Sequence, residues 1–194
     1  MSPFKNLALV TVLACGAAAP AVGQCTLYRW NVPDFDQKRF GLPGDGGMHC
    51  VPTSAVNWMA YIANHGYPPM MSGPRNWQSQ SNHDFVTSTD LLMGTLMGTT
   101  AADGTYGGPG LSGLKFYMQL HAPFKFTASA WYGKITPFDL YFQMLSNGLV
   151  NVCYGYYKEF PGVEGPFYAR DGGHCVTLNG VVNVCASGEH PTIR

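Results

Sequence analysis

The chain has 194 residues, a length suited to one domain whose core need not depend on disulfides. Charged residues make up only 11%, eleven basic against eleven acidic, and no basic block or stripe is present; nucleic acid is excluded as a partner. Glycine (24), proline (14) and 13% aromatics fit a loop-rich extracellular globule rather than a helical bundle or a disordered chain.

Residues 1–23 read as a secretory signal. Lys5 precedes the apolar run Leu7–Cys15, which is too short to span a bilayer, and Ala21-Val22-Gly23 is an acceptable cleavage site before Gln24. A competing reading takes Val12-Leu13-Ala14-Cys15 as a lipoprotein box with Cys15 lipidated. No later segment is apolar enough to cross a membrane, and either reading places the protein outside the cytoplasm, secreted or periplasmic. Cleavage leaves five cysteines, Cys25, Cys50, Cys153, Cys175 and Cys185. An odd number leaves one thiol unpaired, and the other four can pair in any of three ways.

Gln24–Asp36 reads as an extended lead-in and Lys38–Gly47 as a loop. The first helix is expected to open near Pro52, with Ala55, Val56, Met59, Ala60 and Ile62-Ala63 at helical spacing and a stop at Asn64-His65-Gly66. A second helix is expected over Asp84–Met97 and a third over Ser112–His121, separated by the glycine loop Thr99–Gly110. The alternation in Phe124–Tyr132 predicts a strand. Thr136-Pro137-Phe138-Asp139 marks a capped helix start, with an end at Asn147-Gly148. Leu149–Tyr157 then reads as a strand and Phe160–Gly173 as a loop. His174–Leu178 and Val181–Cys185 flank Asn179-Gly180, a hairpin signal. Helices first and strands last imply an α+β fold in a single domain over residues 24–194.

Cys50 stands at the junction between the glycine loop and the first helix. Unpaired N–H groups and the positive end of the helix dipole favour a thiolate there, and the thiolate is the nucleophilic form. A disulfide half and a buried apolar thiol are the competing readings. Six histidines are candidates for a base: His49, His65, His83, His121, His174 and His190. His49 adjoins Cys50, but side chains of neighbours at a helix entry diverge. His65 lies at the far end of the helix, and His83 and His121 fall in turns. His174 follows Asp171-Gly172-Gly173 and opens a strand on which Val176 and Leu178 share its face.

Phe35-Asp36-Gln37, Cys50-Val51-Pro52-Thr53-Ser54 and Gly173-His174-Cys175-Val176-Thr177-Leu178-Asn179-Gly180 come in the order found in papain-like cysteine peptidases. In detail they resemble the bacteriocin-processing (double-glycine) peptidase-like branch, with its VPxxxQ lead-in, CxPTS-type helix start and GHxVxLxG strand. Leu96–Tyr106 and Gly113–Tyr117 resemble that family's middle section. The resemblance implies a papain-like fold, with the catalytic helix packed on a C-terminal antiparallel sheet, acting on a peptide or protein substrate without a cofactor. Cys50 would be the nucleophile, His174 the base and then the acid, and Gln37 an oxyanion donor beside the Cys50 N–H. Thirteen residues separate Gln37 from Cys50, with KRFGLPGDGG as the insert. The family's third residue is an Asp or Asn one strand beyond the histidine. Here Thr192-Ile193-Arg194 reads like the start of that strand, so the acid is expected beyond Arg194 in a truncated chain, with Asn183, Asn179 or Glu189 as local substitutes.

Two other chemistries find little support in the sequence. His49, Cys50, Cys153, His174, Cys175, Cys185 and His190 offer metal ligands, but without Cys-x-x-Cys or paired-His spacing. Gly104–Gly113 lacks the Lys-Ser/Thr of a phosphate loop. A non-catalytic peptide- or cell-wall-binding module is the alternative function, with Trp131-Tyr132, Tyr154–Tyr157, Phe160 and Phe167-Tyr168 as recognition surface. Oligomeric state is not legible.

Overall fold

The computed structural model describes residues 25–73, 79–185 and 191–194. The signal segment 1–23 with Cys15, and the candidates Glu189 and His190, lie outside the described residues.

The described chain is α+β, with helices packed against antiparallel strands. A short strand β1 (Leu27–Tyr28) leads to α1 (Cys50–Asn64), α2 (Gln80–Leu96), α3 (Gly107–His121) and α4 (Pro137–Leu145). Strands β2 (Val150–Phe160), β3 (Phe167–Leu178), β4 (Gly180–Val182) and β5 (Thr192–Ile193) follow. The order β1-β4-β5 forms one antiparallel sheet, and β2-β3 forms a long two-stranded ribbon.

The main core lies among α1, α2 and α3. Ala55, Val56, Trp58, Met59, Ala60 and Ala63 of α1 are buried against Val86, Met93 and Met97, and against Tyr117 and Met118 of α3. A smaller cluster joins Leu140 and Met144 of α4 to Leu178 and Val181. Full burial of such side chains contributes roughly 1.5–3 kcal/mol each. α4 starts as its sequence signals. Thr136 Oγ1 accepts from the Asp139 N–H, and Asp139 Oδ2 accepts from the Thr136 N–H at 2.8 Å. The Thr136 hydroxyl also donates to Asp139 Oδ2 at 2.6 Å, and this bond first, then the one from the Thr136 N–H, holds the Asp139 carboxyl below its usual range.

Helix boundaries shift toward the N-terminus relative to the sequence expectations. α1 begins at Cys50 and places Pro52 third rather than first. The missing proline N–H is still among the four with no partner within the helix, so the bonding is unchanged. α2 begins four residues before Asp84, and α3 five residues before Ser112.

Three strand expectations are corrected. Phe124–Tyr132 forms no strand; Phe126 and Ala128 instead pack on the helical core, and Phe126 meets Tyr67 edge-on. Phe160–Gly173 is not simply a loop, because β2 and β3 stay paired out to Phe160 opposite Phe167. Those two rings stack, and the Tyr168 hydroxyl donates to Glu159 at 2.7 Å. Asn179-Gly180 does not close a hairpin between β3 and β4. β3 is paired along its length with β2, while β4 lies between β1 and β5. The Asn179 carbonyl accepts from the Arg29 N–H, and its N–H donates to the Arg194 carbonyl, so its backbone is satisfied by distant segments.

Two disulfides resolve the pairing left open by the sequence. Cys25 bonds Cys185, and Cys153 bonds Cys175 directly across the β2–β3 ribbon. Among the described residues Cys50 is the free thiol. Two disulfides are consistent with an oxidising, non-cytoplasmic environment. Among the described residues no helix is long and apolar enough to cross a membrane.

Candidate active site

Cys50 occupies the first turn of α1 and is half-buried. It lines a cavity of about 380 Å³ with Asp34, Asp36, Gln37, Thr53, Asn57, His174 and Thr177. Residues separated by more than a hundred positions therefore meet at one opening.

The 38–47 segment shows how Gln37 reaches the helix start across thirteen residues. The insert folds on itself: the Leu42 N–H donates to the Arg39 carbonyl, the Asp45 N–H to Leu42, and the Arg39 N–H to Asp45. Gly46 seals the fold against Gln37, with φ +76; a Cβ there would stand 1.8 Å from the Gln37 carbonyl oxygen. The Gln37 side-chain amide donates to the carbonyls of Gly46 (3.2 Å) and Gly47 (3.1 Å). It thus braces the loop that feeds Cys50, and its N–H groups are engaged by protein carbonyls.

Asn57 and Thr177 hold the other walls together. Asn57 Nδ2 donates to Thr177 Oγ1 at 3.0 Å, while Asn57 Oδ1 accepts from the Phe35 N–H at 2.9 Å. The Thr177 hydroxyl donates to the Ser54 carbonyl at 3.1 Å. One amide on α1 thereby fixes both the lead-in bearing Asp34–Gln37 and the strand bearing His174.

Thr177 turns its side chain toward α1, and by strand alternation Cys175 shares that side. His174 stands opposite Tyr154 across the ribbon, and their rings meet edge-on with centroids 6.1 Å apart. Among the described residues no hydrogen bond joins Cys50 to His174. Unliganded catalytic pairs are often looser than the complex in which they act. Tyr156 projects from the same face of β2 as Tyr154. Its hydroxyl is held above the ordinary phenol range, first by its hydrogen bond to Tyr154, then by desolvation and the Tyr154 charge, and least by Cys50.

His49, the nearest histidine in sequence, diverges from Cys50. It is 1% exposed, with Nδ1 3.4 Å from Oδ1 of the fully buried Asp90. Asn179 and Asn183 do not line the cavity. Asn183 has a left-handed backbone (φ 57), and its N–H donates to Thr26 Oγ1. Among the described residues, no three His, Cys, Asp or Glu side chains gather as a metal site.

Sequence reasoning did not single out Asn57, Thr177 or Asp90. Signals for them exist. Asn57 interrupts the apolar run Ala55–Ala60, and Asp90 stands on the Val86–Met93 face of α2, where an apolar residue would be ordinary. Comparison with family models, with curated proteins and with solved structures finds no match to this chain.

Proposed function

We propose that the protein is an exported thiol-dependent peptide or amide hydrolase of papain-like type. Cys50 attacks the substrate carbonyl as a thiolate, and His174 takes its proton and returns it to the leaving amine. The Cys50 N–H, at the open end of α1, faces the developing oxyanion, and Gln37 adds its amide once substrate draws it from Gly46 and Gly47. Water then releases the acyl group. The supporting observation is that Cys50, the free cysteine, shares one cavity with His174 and Gln37. Among the described residues no side chain hydrogen-bonds the His174 ring as a triad acid would, which fits a slow enzyme.

Incubation with a denatured-protein peptide pool, followed by mass spectrometry of new termini, tests this reading. Cleavage that disappears in Cys50→Ala supports it, and a peptide pool left intact by the wild type refutes it. The second reading, a peptide- or cell-wall-binding module, is favoured by the engaged Gln37 amide and by the exposed aromatics Tyr154, Tyr156, Tyr157 and Tyr168. Retention of intact peptides by both wild type and Cys50→Ala would select it.

A further inference from the structure

We infer that Asp90 is a positioning residue for Cys50, acting from beneath the start of α1 through Thr53 and His49. The inference rests on the proposed role of Cys50. Asp90 belongs to α2, is fully buried and does not line the cavity. Its Oδ2 accepts from the Thr53 hydroxyl at 2.6 Å, within the first turn of α1. Its Oδ1 faces His49 Nδ1 at 3.4 Å. Burial pushes the guanidinium of Arg39, itself 8% exposed, down from its usual range, and the charges of Asp90 and Asp36 oppose that shift. Arg39 Nε donates to the Asp36 carbonyl at 2.6 Å, so the same buried group reaches the residue before Gln37.

The helix start explains why such a group matters. A residue flanking a helix N-terminus usually has extended backbone and caps with its side chain. His49 does neither: its φ and ψ are −94° and 15°, and it makes no capping bond. That sparsely occupied region is common at active sites. The His49 ring is turned into the core instead, where Gly94 leaves room for it; a Cβ on residue 94 would stand 2.7 Å from Cε1. Pinning that ring fixes the His49–Cys50 peptide, and with it the direction of the Cys50 N–H and side chain. Stability alone is a poor reason for the cluster. A buried carboxylate seldom outperforms apolar packing, and His49 Nε2 is left buried with no partner.

The test is the second-order rate of Cys50 alkylation by iodoacetamide at pH 6.5, read by peptide mass spectrometry on the full chain. Asp90→Asn is compared with Val86→Ala, a core truncation on the same helix that controls for lost stability. Charge alone predicts that Asp90→Asn speeds alkylation, because a negative charge near a thiolate is removed. Positioning predicts the opposite sign, a slowing of about tenfold, with Val86→Ala within about twofold of wild type. Acceleration, or a change equal to that of Val86→Ala, overturns the inference. If Asp90→Asn does not fold, Thr53→Val decides: it removes one bond to Asp90 and keeps the carboxylate. Slowing of about threefold supports the inference, and an unchanged rate overturns it. A wild-type thiol no faster than free cysteine would refute the proposed role of Cys50 instead, so the two failures are distinguishable.

Discussion

Asn57 Nδ2 donates to Thr177 Oγ1 across 120 residues of sequence. The same Asn57 side chain accepts from the Phe35 N–H. Three segments that each carry a candidate functional residue therefore depend on one buried amide. Asn57→Leu, similar in volume, removes both of these bonds, while the Thr177 hydroxyl keeps its bond to the Ser54 carbonyl. The expected loss is about 2–3 kcal/mol of stability, measured by urea unfolding, together with slower Cys50 alkylation. Unchanged stability would show that the amide does not join these segments.

Gly46→Ala is expected to be more damaging than a loop substitution ordinarily is. The residue has φ +76, and a Cβ would meet the Gln37 carbonyl at 1.8 Å. Backbone must move, at a cost of about 2 kcal/mol or more. Thermal unfolding should show a clear drop in Tm, whereas Gly108→Ala, where a Cβ meets nothing within 4 Å, should lose much less.

Asp34 and Asp36 line the cavity onto which Cys50 opens. A cationic methanethiosulfonate should therefore modify Cys50 faster than an anionic one, after normalisation to free cysteine. Asp34→Asn should reduce that preference on the order of twofold to fivefold, and added salt should reduce it in the wild type. A preference for the anionic reagent would mean that these carboxylates do not govern the field at the thiol.

Tyr117 is buried, its hydroxyl donates to the Met70 carbonyl at 3.1 Å, and desolvation pushes its ionisation up to about 12. The unfolded chain releases this proton near pH 10. Between pH 10 and 12 the unfolded state thus binds fewer protons than the native state, and stability falls as pH rises. The contribution is present below pH 10, and its loss approaches about 2 kcal/mol by pH 12. Tyr117→Phe should remove that part of the alkaline slope in urea unfolding at a series of pH values. An identical slope in both proteins would contradict the assignment.

The α+β class and the four helices were legible because apolar spacing and caps are local signals. The capping box of α4 forms from the residues that announced it. Strand pairing was less legible, because it is decided by competition between distant partners. Asn179-Gly180 is a good local turn signal, yet β3 pairs with β2 over a much longer register. Phe124–Tyr132 alternates as a strand does, but its inward residues meet helices rather than another strand. At the candidate site, Cys50 is free among the described residues and shares a cavity with Gln37 and His174. The engaged Gln37 amide and the Asp90 cluster were not foreseen. Both depend on how the 38–47 insert and α2 fold beneath α1, a relation that no short window of sequence contains.

The central claim is that Cys50 is a nucleophile served by His174. Its most direct test is the rate of iodoacetamide alkylation at Cys50 between pH 5.5 and 8, in wild type and His174→Ala. The account predicts that wild-type Cys50 at pH 6 reacts at least about tenfold faster than free cysteine. His174→Ala should lose most of that advantage while both disulfides stay intact. A wild-type rate equal to that of free cysteine, or an advantage left unchanged in His174→Ala, would contradict it.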